Sequence, residues 1–322
     1  MKRKKQRKYL RMAAMVLILG MFSALCSACS AEQGLNFRKK SPVVLTFNHA
    51  LRLKQDGTVL AGGDNQWKQC NVGNWKNIVS VAASDYHSVG LKSNGTVVAA
   101  GRNDFGECNV AEWKNIIDIA AVDGFTIGLK DNGTLIMTGN SVGLQKDQVS
   151  AWTDIAAVSA YSGKIACLKA DGTVITASMT SDGKIEQLDW TDIVDVAVGT
   201  PHIVGLKADG TVVAYSEFSD LAECSVAEWK NIVNISAGLN ATVGLKADGT
   251  FIACGKVISP TEDIGAENEL FQIKDVSGIS VSSASLMVLK RDGQVEIYGG
   301  SVWPTVKRPI GKEIAKLQDI KQ

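Results

Sequence analysis

The chain has 322 residues, with 34 basic and 33 acidic side chains and a formal net charge of +1. Residues 1–29 contain seven of the basic residues and no acidic one, so the rest of the sequence has 27 basic against 33 acidic residues. General binding of phosphate groups needs a concentrated basic surface. The composition of residues 30–322 therefore argues against a nucleic-acid-binding role.

The first element in chain order is an export signal. Residues 1–11 carry seven Lys or Arg, and residues 12–26 are an apolar run of 15 residues. A basic segment followed by a short apolar run is typical of a secretory signal, whereas a spanning helix needs about 20 apolar residues. The sequence therefore predicts export, with residues 1–29 as the signal peptide.

The end of this segment resembles a bacterial lipobox. Small residues, Ser27 and Ala28, precede Cys29, while Cys26 stands where leucine is usual. The resemblance implies lipidation of Cys29, which would supply the two acyl chains that stable membrane anchoring requires. Ordinary cleavage nearby and an uncleaved membrane anchor remain as alternatives. Residues 30–41 would then form a short tether.

Residues 42–322 are dominated by a repeat. Each copy has two apolar runs around an Asp-Gly or Asn-Gly pair, and a further apolar run lies upstream of each copy. The turn glycines recur at intervals of 38 to 44 residues: Gly57, Gly95, Gly133, Gly172, Gly210, Gly249 and Gly293. The apolar residues alternate with period two, which indicates β-strands. We interpret the Asp-Gly and Asn-Gly pairs as two-residue hairpin turns with positive φ at both positions.

Each copy also has a polar loop and a downstream segment that ends in an aromatic residue, usually tryptophan. We interpret this segment as a fourth strand. Seven blocks of four short strands predict an all-β fold, a seven-bladed β-propeller of four-stranded antiparallel blades. The alternative interpretation of the repeat is an open β-solenoid, which we favour less because it needs capping units.

The repeat unit resembles the regulator of chromosome condensation repeat. The best copy runs from Ala82 to Trp113, with Gly101, Asn103 and Gly106 at the expected positions. The resemblance covers residues 42–310 and implies a seven-bladed propeller. It says little about function, because such repeats serve exchange factors, scaffolds and surface proteins alike.

The histidines and cysteines follow the repeat. His49, His87 and His202 each lie eight residues before a turn glycine, which predicts a structural role on separate blades rather than a metal site. We expect the five cysteines after Cys29 to be small buried hydrophobes, with a disulfide as the alternative in an exported protein. No metal and no cofactor are expected.

The candidate binding residues lie where the repeat varies. The turns between first and second strands should line one face near the axis. They present these residues: Phe47, Asp85, Tyr86, Asp123, Phe125, Tyr161 and Asn240. Exposed aromatics beside small polar groups suit protein or carbohydrate ligands, and local packing of each ring on its neighbour is the alternative. Trp67 and Phe105 form a smaller aromatic pair on another loop, and the insertion 256–270 is a second candidate site.

These observations predict a monomeric binding module for a protein or glycan at the cell envelope, without catalysis. It would be extracytoplasmic and lipid-anchored, or alternatively secreted. A different hypothesis is an extracellular hydrolase or lyase that uses Asp85 and Asp123 as acid and base. An intracellular exchange factor or chromatin binder conflicts with the signal segment.

Overall fold

Seven antiparallel sheets follow one another along the chain in the computed structural model. It describes residues 40–140, 146–178, 183–218, 221–257, 269–283 and 285–299. The predicted signal peptide, Cys29, most of the predicted tether, the larger part of the insertion and the C-terminal tail lie outside the described residues. Among the described residues, no helix is long and apolar enough to cross a membrane.

Each sheet is a blade whose strands pair in chain order. The first strands of the seven blades are β1 (Val43–Leu45), β4 (Ile78–Ala83), β7 (Ile116–Val122), β10 (Ile155–Tyr161), β14 (Ile193–Val198), β17 (Ile232–Gly238) and β20 (Val276–Ser282). The second strands are β2 (His49–Leu53), β5 (His87–Lys92), β8 (Phe125–Lys130), β11 (Lys164–Lys169), β15 (His202–Lys207), β18 (Ala241–Lys246) and β21 (Ser285–Lys290). The third strands are β3 (Val59–Gly63), β6 (Val97–Gly101), β9 (Leu135–Gly139), β12 (Val174–Ser178), β16 (Val212–Ser216), β19 (Phe251–Gly255) and β22 (Val295–Gly299). The predicted seven-bladed all-β architecture is confirmed.

The hairpin loops differ from the prediction. In blade one, Gly57 donates its N–H to the Lys54 carbonyl at 3.1 Å, and Lys54 donates to Thr58 at 2.9 Å. Only Gly57 has positive φ, at 76°. This is a three-residue loop with a glycine bulge rather than a two-residue turn, and the Asp56 carboxylate accepts from the Thr58 N–H at 2.9 Å. Both turn types favour Asp-Gly, so the pair alone does not distinguish them.

The expected fourth strand forms in one blade, as β13 (Ile185–Leu188) in blade four. In the described residues of the other six blades the equivalent segment contributes no strand to a sheet. Where it follows blade one, its backbone bonds locally instead of to a ladder, since Trp75 donates to the Val72 carbonyl at 2.9 Å and Cys70 donates to Asn65 Oδ1 at 2.8 Å. One short helix, α1 (Lys146–Ser150), and two 3₁₀ turns, Ala222–Cys224 and Glu269–Gln272, occupy these segments elsewhere.

Tryptophans from these segments pack against the second strand of the following blade. A Cβ added to Gly90 would lie only 2.8 Å from the Trp75 ring, and Gly128 meets Trp113 at 2.7 Å. The glycine in the middle of the second strand is therefore required by the close approach of an indole ring. The alternating pattern Val-Gly-Leu-Lys places apolar side chains in the core and leaves a bare surface for the tryptophan.

The ring closes by packing of blade one on blade seven. The first strands of successive blades contact one another, and β1 contacts β20 and β21. The Leu45 N–H donates to Ser280 Oγ at 2.9 Å, and Val43 and Leu45 share an apolar cluster with Met287 and Leu289. Residues 311–322, whose part in ring closure the sequence leaves open, lie outside the described residues.

The histidines link neighbouring blades. His87 Nε2 lies 2.9 Å from Thr126 Oγ1, and the Thr126 hydroxyl donates to the Glu107 carbonyl at 2.7 Å. Because that hydroxyl has only one hydrogen, the ring nitrogen is the donor in the first bond. His49 with Ser88, at 2.7 Å, and His202 with Thr242, at 2.7 Å, repeat the arrangement. The histidines therefore have a structural role between blades.

Burial keeps these rings neutral. Each histidine is at most 3% exposed. Burial lowers the pKa of each imidazole from 6.5 to about 4. Repulsion between the protonated forms of His49 and His87 adds to this shift at His49, and positive charge from Lys164 adds to it at His202. A neutral imidazole with one donor matches the hydrogen bond described above.

Candidate functional site at the turn face and central channel

The first strands all run in the same direction, so the turns that follow them gather at one end of the ring axis. We call this end the turn face; it is formed by the loops between first and second strands. The first strands line a central channel with a cavity of about 300 Å³. The channel wall consists mainly of small residues such as Ala82, Ala120, Ser159 and Ala197, and short side chains keep the axis open.

Backbone N–H groups on the inner edges of the first strands donate hydrogen bonds to side chains. The Val198 N–H donates to Ser159 Oγ on the preceding blade at 3.2 Å, and the Val281 N–H donates to Ser236 Oγ at 3.0 Å. In the same way, the Val158 N–H donates to Asp118 Oδ2 at 3.0 Å. The polar residues of these strands therefore cover backbone groups that an open sheet edge would leave unpaired.

Lys40 crosses the channel at the end opposite the turn face. Its Nζ donates to the Ile119 and Val158 carbonyls, both at 2.7 Å, and lies 2.8 Å from Asp118 Oδ1. The three ammonium hydrogens thus have three acceptors. This contact ties the segment before β1 to blades three and four.

The structure brings Asp85 and Asp123 together at the channel mouth. The Asp85 N–H donates to Asp123 Oδ1 at 3.2 Å, and Asp85 Oδ1 accepts from the Phe47 N–H at 2.9 Å. Burial, together with the negative charge of Asp123, raises the pKa of the Asp85 carboxyl. Each carboxylate therefore supports the turn of the preceding blade, and both also line the cavity.

Tyr161 lies at the same mouth, on blade four. Its hydroxyl is 3.4 Å from Ser283 Oγ on blade seven, so the ring reaches across the channel opening. Burial raises the pKa of this phenol. Asp85, Asp123 and Tyr161 are therefore three predicted site residues that share one cavity.

Tyr86 is half-buried and lies beside an arginine. The Arg102 guanidinium lies 4.6 Å from the centroid of the Tyr86 ring and 5.3 Å from that of Phe105. Arg102 Nε also bonds Glu107 Oε1 at 3.1 Å. Phe105 is 52% exposed and Trp67, at the same repeat position one blade earlier, is 39% exposed. We call Trp67, Tyr86, Arg102 and Phe105 the aromatic patch.

The remaining predicted residues do not join a common site. Phe125 is only 2% exposed and packs in the core between blades three and four, so its ring is not available at the surface. It occupies the repeat position of the buried histidines, which explains its burial. Asn240 sits in the blade-six turn at φ 54° and is tied by its backbone to Thr200. Phe47 is 41% exposed at the rim.

The described cysteines are free thiols. Burial raises the pKa of Cys108 and Cys254 to about 12, and that of Cys224 to about 11, so these three thiols are not reactive thiolates near neutral pH. No group of three His, Cys, Asp or Glu in the described part of the chain could hold a metal ion.

The sequence matches a known repeat family. The model of the regulator of chromosome condensation (RCC1) repeat matches residues 78–107, which overlap the best copy of the unit. This match confirms the family resemblance for that copy of the repeat. No curated protein matches the sequence.

Solved structures share the fold at low sequence identity. Prp20p from Saccharomyces cerevisiae, described with its binding to Gsp1p and histones, has a TM-score of 0.54 at 16% identity over 69% of this chain and 72% of its own. The same yeast protein with Kap60 bound gives 0.61 at 14% identity over 88% and 87%. The CRINKLY WD40 ectodomain of the Arabidopsis thaliana receptor kinase ACR4 gives 0.62 at 14% identity over 84% and 98%. At these identities the likeness concerns the propeller fold.

Proposed function

We propose that this propeller of regulator of chromosome condensation (RCC1) repeats is a non-enzymatic binding module that docks a protein through the aromatic patch. The patch lies beside the turn face, because the Arg102 N–H donates to the Tyr86 carbonyl at 2.9 Å. The proposal includes export and anchoring through a lipid on Cys29, which the basic and apolar N-terminal segments support. The module would then act at the cell envelope. A glycan ligand is the alternative occupant of the same surface.

The observation that carries the proposal is the composition of the patch. Trp67 and Phe105 are large, exposed rings on adjacent blades, and Arg102 lies between the rings of Tyr86 and Phe105. Tryptophan, tyrosine and arginine are the residues most enriched at the energetic centres of protein interfaces. The Arg102 charge is partly neutralised by the buried Glu107 carboxylate, at 3.1 Å. A mixed apolar and aromatic partner surface therefore fits better than a highly charged one.

Two further points support this assignment. The yeast relative that shares the fold is described with protein partners: Gsp1p, histones and Kap60. Lys40, where the described chain starts, lies at the end of the channel away from the turn face. An anchor attached through the preceding residues would leave the turn face accessible to a partner.

The docking test compares matched aromatic variants. Immobilised protein is incubated with cell-envelope extract, and bound proteins are identified by mass spectrometry. We expect a defined partner to be lost with Trp67→Ala/Phe105→Ala but retained with Phe218→Ala, because Phe218 is a 63% exposed ring on distant blade five. Equal capture by all three proteins would refute docking at the patch. Binding to a glycan array that depends on the same two rings would assign the patch to carbohydrate instead.

The anchoring test uses the N-terminal cysteine. We expect radiolabelled palmitate to be incorporated into the wild-type protein and not into the Cys29→Ser variant, with the variant shifting from the membrane to the soluble exported fraction. A cytosolic protein with an unprocessed N-terminus would refute export.

A second candidate function, an envelope hydrolase or lyase, is favoured by one observation. Asp85 and Asp123 converge at the channel mouth, and burial with the nearby charge raises the pKa of Asp85, as acid–base chemistry requires. Both carboxylates, however, already accept backbone hydrogen bonds from neighbouring turns. Turnover of an envelope polysaccharide or peptide that is lost in Asp85→Asn and Asp123→Asn would replace the binding proposal.

A further inference from the structure

We infer that Cys224 and Cys254 form a disulfide bond that fastens blade six to the segment linking it to blade five. Cys224 ends the 3₁₀ turn of that linking segment, and Cys254 lies on β19, the third strand of blade six. Both are free thiols in this structure. The pairing itself does not depend on the proposed function, whereas oxidation of the pair in the cell rests on the export that we propose.

Direct contacts between the two stretches of chain bring the cysteines together. The Cys254 thiol donates to the Glu223 carbonyl at 3.3 Å, and this carbonyl belongs to the peptide group that joins Glu223 to Cys224. A Cβ added to Gly255 would lie 2.9 Å from Glu223 Cβ and 3.1 Å from Glu223 Cα. A disulfide requires two Cα atoms within about 7 Å of each other, and backbones that approach this closely are compatible with that requirement.

The two thiols also act on each other electrostatically. Burial raises the pKa of Cys254 to about 12, a hydrogen bond from the Ser225 backbone opposes the rise, and the negative charge of a Cys224 thiolate adds to it. Ser225 directly follows Cys224 in the chain. The Cys254 sulfur therefore interacts with the residues on both sides of the cysteine with which it would bond.

The equivalent contact on blade three shows that the repeat builds this approach regularly. Cys108 has the position of Cys224, since each lies five residues before a tryptophan. Thr138 has the position of Cys254, as the strand registers show, and its Oγ1 donates to the Gly106 carbonyl at 3.0 Å. The third strand thus reaches the linking segment on both blades, and blade six has a cysteine on each side of the contact.

The other described cysteines do not have a cysteine at the matching position. Cys70 has the position of Cys224 after blade one, and Ala100 occupies the position of Cys254 on blade two. Cys167 is fully buried in an apolar cluster at blade four. The repeat therefore favours one bond and leaves Cys70, Cys108 and Cys167 as thiols.

Oxidation of the pair needs a two-electron acceptor, for which we name a low-molecular-weight or protein disulfide outside the cytoplasm. The thiolate of one cysteine attacks a sulfur of this oxidant, which forms a mixed disulfide and releases one oxidant thiol. The second cysteine then attacks the mixed disulfide, forms the protein disulfide and releases the second oxidant thiol. Two protein thiols and one oxidant disulfide thus become one protein disulfide and two oxidant thiols.

The timing of oxidation follows from burial. Burial raises the pKa of Cys224 to about 11 and that of Cys254 to about 12, so few thiolates are present in the folded blade near neutral pH. We therefore expect the bond to form while the blade folds and to resist reduction afterwards. It would close a loop that contains β17 and β18 and would hold the end of β19, where the insertion 256–270 begins.

The main experiment refolds the full-length protein from urea in detergent with oxidised and reduced glutathione. Remaining thiols are blocked with N-ethylmaleimide, and the unreduced digest is examined by mass spectrometry. We expect a peptide pair that links Cys224 to Cys254, with alkylated Cys70, Cys108 and Cys167. Alkylation of both Cys224 and Cys254, or a link from either of them to another cysteine of the chain, would overturn the inference.

The same blocking step on intact cells separates this inference from the proposed export. A bond that forms on refolding and is also present in protein taken from cells would support both. A bond that forms on refolding but is absent from the cells would contradict oxidation outside the cytoplasm, while the pairing would stand.

Matched serine variants measure the effect of the bond. Reduction should lower the melting temperature of the oxidised wild-type protein by about 5 °C or more, because the closed loop no longer restricts the unfolded chain. The control Cys108→Ser, at the equivalent position on another blade, should respond to the reductant in the same way, and Cys254→Ser should not respond. A melting temperature of the wild type that is insensitive to reduction would contradict the bond.

A transplanted bond tests the repeat geometry. Thr138→Cys should create a second disulfide, with Cys108, under the same refolding conditions. The control Thr134→Cys places a cysteine beside the hairpin loop of the same blade, away from the linking segment, and should remain alkylated. Failure of Thr138→Cys to link to Cys108, or equal linking by Thr134→Cys, would overturn the argument from the repeat.

Discussion

Two kinds of junction hold neighbouring blades together, and the contrast between them explains which repeat positions are polar. At the hydrogen-bonded junctions, between blades one and two, two and three, and five and six, a buried histidine meets a serine or threonine. At the apolar junctions the same two positions hold Phe125 with Ile165, between blades three and four, and Ala241 with Leu286, between blades six and seven.

Both sides of a junction change together. Wherever the histidine is missing, the hydroxyl on the next blade is also missing, and this holds for Lys164 with Ile203 and Ser285 with Ala50 as well. The physical reason is the cost of a buried polar group without its partner, which exceeds the net gain from a satisfied hydrogen bond. The pair, and not the single residue, is therefore the unit that varies.

The largest effect on the free energy of unfolding is expected from acid, which protonates the buried histidines of the hydrogen-bonded junctions. The folded state lowers the pKa of each histidine to about 4 from 6.5, so the neutral form is favoured on folding. This stability is complete above pH 6.5 and is lost as the pH falls toward 4, by on the order of 3 kcal/mol for each histidine. Urea unfolding between pH 7.5 and 4 measures it, and a flat profile would contradict the assignment.

Alanine substitutions should separate the two kinds of junction. Phe125→Ala should cost about 3–5 kcal/mol at any pH, because it leaves a cavity in an apolar cluster. His87→Ala should cost about 2–4 kcal/mol at pH 7.5, since it also leaves Thr126 Oγ1 without a donor. Near pH 4 the cost of His87→Ala should shrink, whereas that of Phe125→Ala should not. Parallel pH profiles for the two variants would remove the distinction.

Converting a hydrogen-bonded junction into an apolar one should have an effect of intermediate size on the free energy of unfolding. His87→Phe removes the donor to Thr126 Oγ1 and Thr126→Ile removes the acceptor, so the double variant should cost less than the sum of the two single changes by about 1 kcal/mol or more. The double variant should also lose one histidine's share of the pH dependence. A double-mutant cycle in urea measures both quantities. Strict additivity of the two changes would show that the positions are not coupled.

The smallest effect is expected at the aromatic patch. Phe105→Ala and Trp67→Ala should each change the free energy of unfolding by no more than about 0.5 kcal/mol, because exposed residues contribute little to stability. The same urea titration measures this. A larger loss would mean that these rings stabilise the blades, and any loss of partner binding in the variants would need another explanation.

The period-two pattern and the constant spacing were sufficient to predict the seven blades and the structural role of the histidines. The turn type and the fourth strand were not predictable, because Asp-Gly suits two loop geometries and Asn65 satisfies backbone groups that a ladder would otherwise pair. Both outcomes depend on local hydrogen bonds that leave no distinct periodicity.

The candidate site was predictable in part. Asp85, Asp123 and Tyr161 line one cavity, and their role in binding stays a prediction, whereas Phe125 was expected at the surface and lies in the core. Its alignment with His49 and His87 was the signal that could have shown this. The role of Lys40 was not foreseeable, because its acceptors are backbone carbonyls of distant strands.

The matched faces of the blades also restrict how the gene could be rearranged. Blade two has a hydroxyl, Ser88, on one face and a histidine, His87, on the other, so two adjacent copies of blade two could form the same hydrogen bond with each other. Blade three carries Thr126 and Phe125, so its duplication would place a Thr126 opposite Phe125 and leave that threonine oxygen without a histidine donor. Tandem duplication of blade two therefore offers a route to a longer ring that duplication of blade three does not.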